Sequence, residues 1–308
     1  MGWFAMPSSV SLARAPQNRM RGFLYGAGAG LAGSLGGISI RLVEDATLWQ
    51  MAVFRYATVA ILVFLFCWYE HRRNVFRAYV AIGWVGVIGG LLMAGHHLAY
   101  VAAMLGTTVA NAAFVLSTTP ILSALLGIAF IKERVRPMGW LAIVGTMIGM
   151  GVMVGGGLSG KGLFGMSMAF LAALTFAAYV VLVRASRRTD MVPSMSIGAV
   201  LASATGILLA NGDLSVSAVD ATTMMALGAG QAAAATILIV LAARHVRAAE
   251  VNLLAMVEAV LGPFWVWLAV GEEPDAATLW GGAIVLSSVA GFAVASLSAA
   301  AKESTARA

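Results

Sequence analysis

Apolar residues fall along this chain in ten long blocks, at about 22–43, 47–69, 78–103, 107–131, 138–156, 162–184, 192–211, 219–243, 248–271 and 278–299, with short polar or charged segments between them. An α-helix needs about 20 mainly apolar residues to cross the hydrocarbon of a bilayer, and the blocks have that length. Their apolar runs are continuous and do not alternate with the period of two that a transmembrane strand shows. The pattern predicts an all-α integral membrane protein with ten transmembrane helices and almost nothing left for a soluble domain.

The blocks also repeat. At an offset near 140 residues, Arg21-Gly22 meets Lys161-Gly162, Leu31-Ala32 meets Leu171-Ala172, and Leu42-Val43 meets Leu182-Val183. Further on, Ala102-Ala103 meets Ala242-Ala243, Glu133 meets Glu273, Trp140 meets Trp280, and Gly151 meets Gly291. Identities among Ala, Gly and Leu arise by chance in such a chain, so the Trp and Glu pairs and the matching block lengths carry the weight. Five crossings per copy put the two copies in opposite orientations, which is the inverted repeat of many secondary transporters. The predicted organisation is a cytoplasmic segment 1–20, a first repeat 21–157 with helices one to five, a second repeat 158–299 with helices six to ten, and a cytoplasmic tail 300–308.

Composition agrees: 61% of the 308 residues are hydrophobic and 10% charged, and mean hydropathy is +0.91, against about a quarter charged in a soluble domain. The net charge of +6 would suggest nucleic acid in a soluble protein, but here the cations follow topology. With the N-terminus inside, Arg14, Arg19, Arg21, Arg72, Arg73, Arg77, Lys132, Arg134, Arg136, Arg184, Arg187, Arg188, Arg244, Arg247, Lys302 and Arg307 all face the cytoplasm. Only Arg41 and Lys161 lie outside, and Arg55 lies within a span, a strong positive-inside bias. The outer loops carry Glu44, Asp45, Asp213, Asp220, Glu272, Glu273 and Asp275. Both termini are expected in the cytoplasm, nucleic acid is not an expected partner, and the lipid bilayer is. The first hydrophobic run is long enough to span, and no removable signal peptide is expected. The single cysteine, Cys67, excludes an intrachain disulfide and a cysteine-built metal site.

The fourth block, with its internal proline and terminal acid (STTPILSALLGIAFIKERVRP), precedes a Gly-rich fifth, and EAVLGPFWVWLAVGEEP precedes a Gly-rich tenth. Together with Arg55 in MAVFRYATVAILVF, these segments resemble the drug/metabolite transporter superfamily, specifically its ten-helix members built from two EamA-type repeats. The resemblance spans nearly all of residues 20 to 300. It implies export of amino acids, plausibly aromatic ones, or related metabolites across a bacterial inner membrane. Transport would proceed by alternating access around a cavity lined by spans one to four and six to nine, with spans five and ten as peripheral supports. One departure is that Pro120 maps to Val260, while the second-half proline is Pro263, about a turn later. The halves are therefore expected to bend at different depths.

An arginine within a span needs a partner or a wet cavity, because it costs roughly 2.5–3.5 kcal/mol on insertion scales. Arg55 can bind a substrate carboxylate through its planar fork, hold an outer gate, or be a structural residue satisfied by backbone carbonyls. His96 and His97 in the third span and Asn111 in the fourth reach the same depth. The adjacent histidines point about 100° apart and no HExxH pattern occurs, so they do not read as a metal site.

Glu258, mid-span in the ninth block, is the one acid placed in the hydrocarbon centre. Burial there favours its neutral form, which suits proton coupling or a partner for a substrate ammonium, or else a hydrogen bond between helices. Gln231 and Asn252 suit interhelical bonding. Thr118 in Ser117-Thr118-Thr119 can repair the backbone that Pro120 frees or meet a substrate, and Pro120 and Pro263 are the expected hinges. Tyr100, Phe114 and Trp267 are the aromatics expected near substrate, among Trp84, Tyr179, Phe264 and Trp265 within spans. Pairs such as Gly22/Gly26, Gly26/Gly30 and Gly145/Gly149 allow close helix approach. No cofactor is expected, no converging acid/base or metal constellation suggests an enzyme, and the duplication favours a monomer. Multidrug or other metabolite efflux is the alternative reading, followed by a passive channel.

Overall fold

A computed structural model describes residues 18–36, 43, 46–107, 109–133, 135–154, 162–186, 189–270 and 276–305. Among them there is no strand. The helices are α1 (Arg19–Gly33), α2 (Leu48–His71), α3 (Val75–Ala81), α4 (Gly83–Gly106), α5 (Val109–Leu116), α6 (Thr119–Ile131), α7 (Pro137–Val154) and α8 (Leu163–Ala185). They continue with α9 (Val192–Leu209), α10 (Ala218–Leu227), a π-helical turn Gly228–Ala233, α11 (Ala234–His245), α12 (Ala248–Ala255), α13 (Val257–Val270) and α14 (Ala276–Thr305).

Among the described residues, seven stretches are long and apolar enough to cross a membrane, and Pro137–Met153 is a shorter apolar helix. The first expected span is described only as far as Gly36, and the ninth is two helices in succession. The expected repeat boundary at 157/158 lies outside the described residues, as do Arg41, Glu44, Asp45, Arg134, Lys161, Arg187, Arg188, Glu272, Glu273 and Asp275.

Two spans are broken in a similar way. The α5 helix has 8 residues and ends before Ser117-Thr118, and α6 then begins with Pro120 in its first turn. Proline is tolerated there because the N–H it lacks would have no partner in the helix anyway. The hydroxyls of Ser117, Thr118 and Thr119 turn back onto the carbonyls of Phe114, Val115 and Leu116 at 2.6, 2.7 and 2.5 Å, so the freed backbone is satisfied locally.

The second break separates α12, also of 8 residues, from α13 at Met256. It contains no proline. Instead, Met256 and Ala259 donate to carbonyls three residues back, at 3.2 and 3.1 Å. The backbone of Pro263 lies inside α13, which runs unbroken from Val257 to Val270. The two breaks thus sit in nearly the same register, where the proline positions had suggested different depths. The second is shaped by packing, because Gly30 of α1 lies directly against the Ala255 carbonyl and Val257.

An extended residue follows the helix that precedes each broken span, and on the second side Arg247 (φ −72°, ψ 155°) is extended as well. Thr107 (φ −149°, ψ 179°) follows α4, and Val246 (φ −122°, ψ 171°) follows α11. The most extensive packing joins α4 to α8, α2 to α9, α7 to α14, α4 to α9, and α1 to α11. Glycine faces make these approaches close: Gly22, Gly26 and Gly30 of α1 meet Val246, Leu254 and Ala255, and Gly149 of α7 meets the Gly281 carbonyl of α14. Large apolar side chains such as Trp68, Phe76, Trp84, Leu141 and Trp280 point outward, as a lipid-facing surface requires.

Candidate functional site

Arg55 lies two turns into α2 and is only 7% exposed. Its Nη2 donates to Oε1 of Gln231, which the π-helical turn carries into the bundle. Such single turns insert one residue into the helical ladder and often mark functional positions. Here the turn also contains Gly228, which leaves no room for a side chain between itself and the Arg55 carbonyl. The guanidinium carbon sits 5.5 Å from the Tyr100 ring centroid and 5.7 Å from that of Tyr56, both cation–π distances. Arg55 Nε is buried with no hydrogen-bond partner among the described residues.

Arg55 and Tyr100 are the polar members of a narrow, otherwise apolar cleft lined by Val43, Met51, Val101, Met104, Leu105, Met224 and Leu227. Those residues cluster at the beginning of α2 and at the ends of α4 and α10, so the cleft belongs to one end of the bundle.

The histidines flank this group. His97 stacks on Tyr56 with ring centroids 4.1 Å apart, and the Tyr56 hydroxyl donates to the His97 carbonyl at 2.9 Å. His97 Nε2 is buried and has no partner among the described residues. His96 turns the other way: its Nδ1 lies 3.0 Å from the Ala172 carbonyl, and its ring stacks on Phe176 at 4.7 Å. The two rings remain 5.6 Å apart at 52° to each other, but they bond and stack with different neighbours.

Glu258 approaches from α13. Its carboxylate lies against Gly33 of α1 so closely that a Cβ there would overlap it. It shares Tyr100 with Arg55 as an electrostatic neighbour. Beside it, Trp265 Nε1 donates to Ser34 Oγ at 2.8 Å, and Ser34 Oγ donates to the Leu31 carbonyl at 2.6 Å, fixing the end of α1. A guanidinium, a phenol and an amide from α2, α4 and the π turn therefore meet, while the Glu258 carboxylate lies at Gly33 of α1, three residues before the Gly36 that Gln231 touches.

Other expected residues lie elsewhere. Asn111 donates to Thr107 Oγ1 at 3.1 Å within its own segment. Phe114 packs towards Gly151 of α7, and Trp267 is exposed beside Phe264. Asn252 is buried and donates to Ser123 Oγ at 2.6 Å, joining α12 to α6. The Pro263 side chain lies outside the described residues.

In the sequence, Arg184 and Arg244 read only as topology charges and Glu133 only as a repeat match, while His71 and Asp190 drew no reading. Arg184 Nε and Nη2 donate to Glu133 Oε1 at 3.1 and 2.9 Å, Arg244 pairs with Asp190, and His71 Nε2 lies 2.9 Å from the other Asp190 oxygen. Glu70, His71 and Asp190 also bring three possible metal-ligand atoms within 4.8 Å of one another, but both Asp190 oxygens are already engaged by Arg244 and His71. The signal available for this group was the placement of an acid beside basic residues at several helix ends on one side.

The apolar helices and their outward-facing surface define a multi-pass helical membrane protein. Residues 20–155 match the model of the EamA-like transporter family. Among solved structures, a crystal structure of a protein, 21% identical in sequence, superimposes on 88% of this chain and 96% of its own length with a TM-score of 0.73, and so shares the fold. No curated protein matches the sequence.

Proposed function

We propose that this protein is a secondary transporter of the drug/metabolite transporter superfamily, with ten membrane helices in two inverted EamA-type repeats in a bacterial inner membrane. It exports amino acids, aromatic ones included, or related small metabolites by alternating access. The duplicated architecture is supported by the matching half-helices Val109–Leu116 and Ala248–Ala255 and by the extended Thr107 and Val246 that follow the helices before them. It is supported too by packing that exchanges under the repeat: α1 with α11 corresponds to α8 with α4.

The observation that carries the substrate reading is the buried Arg55 guanidinium, held by Gln231 and lining an apolar cleft, its Nε unpartnered among the described residues. A substrate carboxylate completes its hydrogen bonding through the planar fork, the apolar wall receives the side chain, and Glu258 serves the ammonium or couples transport to protons. By the positive-inside rule, the cleft end faces outward and the Arg184 end faces the cytoplasm.

Counterflow tests this. Proteoliposomes preloaded with unlabelled phenylalanine, tryptophan or threonine accumulate the labelled amino acid transiently and saturably, and Arg55→Ala abolishes the effect while Arg55→Lys impairs it. Counterflow that survives in Arg55→Ala removes Arg55 from binding, and a folded wild type without counterflow removes the amino-acid assignment.

A further inference from the structure

The end of the bundle opposite the cleft is held by side chains that the Arg55 site does not use. Along α2 the two ends are far apart: Met51 lines the cleft and His71 lies at the opposite end, a separation of about 30 Å at 1.5 Å per residue.

At that far end Arg184, in the last turn of α8, is only 7% exposed. Besides its two bonds to Glu133, its Nη1 donates to the carbonyls of Ala243 and Arg244 at 3.3 and 3.4 Å. Those are among the last carbonyls of α11, which lack partners within the helix. One guanidinium therefore caps α11 and ties it to α8 and to the exit of α6. Glu133 is set in place by the end of α6, where the chain turns at Lys132 (φ 53°) and the Glu133 N–H closes on the Gly127 carbonyl at 3.0 Å.

The path continues from Arg244 to Asp190, which also accepts the Val192 N–H at the start of α9 at 3.0 Å, and from Asp190 to His71. A second clasp, Arg19 Nη2 to Glu250 Oε1 at 3.3 Å, joins α1 to α12. Glu133 and His71 belong to the first repeat, and Arg184, Asp190 and Arg244 to the second. Each direct side-chain link between the halves on this path is one that a rocking motion of one half against the other has to break.

We propose that the path Glu133–Arg184–Arg244–Asp190–His71 is the cytoplasmic gate, closed here while the cleft at Arg55 is formed, and that it parts when the protein turns inward. The proposal rests on the transporter reading above. Arg184 is nearly withdrawn from water while its partner Glu133 stays partly exposed, and a buried guanidinium is costly to leave half bonded. The gate is therefore two-state, intact or fully parted.

The chain carries its own reporter. Cys67, the single cysteine of the sequence, is fully buried in α2, one helical turn before His71 of this path. The experiment measures the rate of Cys67 labelling by N-ethylmaleimide in the purified full-length protein and in Glu133→Gln and Asp190→Asn, two near-isosteric changes at separate links. Each variant is expected to label Cys67 about ten-fold faster or more.

A second reporter, Leu227→Cys in a Cys67→Ser background, reads the cleft end, and there Glu133→Gln slows labelling. Reciprocal change supports a gate. Unchanged labelling of Cys67, or faster labelling at both ends, shows a static staple and overturns the proposal. Because neither reporter requires a substrate, reciprocal labelling without counterflow refutes the amino-acid reading while leaving the gate standing.

Discussion

Gly30 lies where α1 crosses the break between α12 and α13. A Cβ at this position would fall 2.9 Å from the Ala255 carbonyl oxygen and 3.2 Å from Val257 Cβ. Ordinary contacts of these kinds lie near 3.4 Å or beyond, so the facing chain must retreat by about 0.5 Å, and the nearest atom is backbone that no rotamer change can move. Overpacking of this sort costs about 1–3 kcal/mol. Gly28, two residues earlier in the same helix, is a matched control, because its Cβ would meet only Leu238 Cδ1 at an ordinary 3.4 Å. There an alanine adds up to about 1 kcal/mol of helix propensity without a clash.

Gly30→Ala is therefore expected to be less stable than Gly28→Ala by about 1–3 kcal/mol, measured as reversible unfolding of the purified protein in mixed micelles of detergent and SDS. The displaced break also carries Glu258, so Gly30→Ala is expected to lower counterflow more than Gly28→Ala does. Equal stability and equal transport in the two variants would refute the argument that close backbone approach at Gly30 shapes the ninth-span break.

The remaining expectations concern single buried groups. Asn252 and Ser123 form a buried bond between α12 and α6, so a double-mutant cycle with Asn252→Leu and Ser123→Ala should show a coupling of about 0.5–2 kcal/mol in the same unfolding assay; a coupling of zero means that the two side chains act independently. Glu258→Gln mimics the permanently protonated acid, and the variant is expected to retain counterflow while losing any response of net transport to an imposed pH gradient. A gradient response that persists in Glu258→Gln assigns proton coupling elsewhere.

Much of the architecture was legible because a bilayer imposes a one-dimensional rule: every spanning backbone group must be satisfied within its own segment, so continuous apolar length reads directly as helix. Arg55, Glu258 and Gln231 stood out for a related reason, since polar side chains inside apolar blocks are costly and rarely incidental. The meeting of Arg55 with Gln231 was not legible, because α2 and the π turn are far apart in sequence and only packing brings them together beside Tyr100. The bend in the ninth span was misplaced for the same reason. Proline is a local signal for a break, but Met256 bends under contact with α1, a helix more than 200 residues away in sequence.

Arg184, Glu133, Asp190 and Arg244 show the division most plainly. In the sequence they are loop-flanking charges, and the positive-inside rule gave the basic ones a full explanation. Folding buries Arg184 and turns these charges into a connected path, because several helix ends converge there and each brings a carbonyl or a charge within bonding reach of the next. The sequence by itself determined the helices, their membrane setting and which polar residues needed an explanation, since those follow from local transfer free energies. Only the tertiary structure decided which polar groups share a site and which ends are tied, since those depend on contacts that no local pattern encodes.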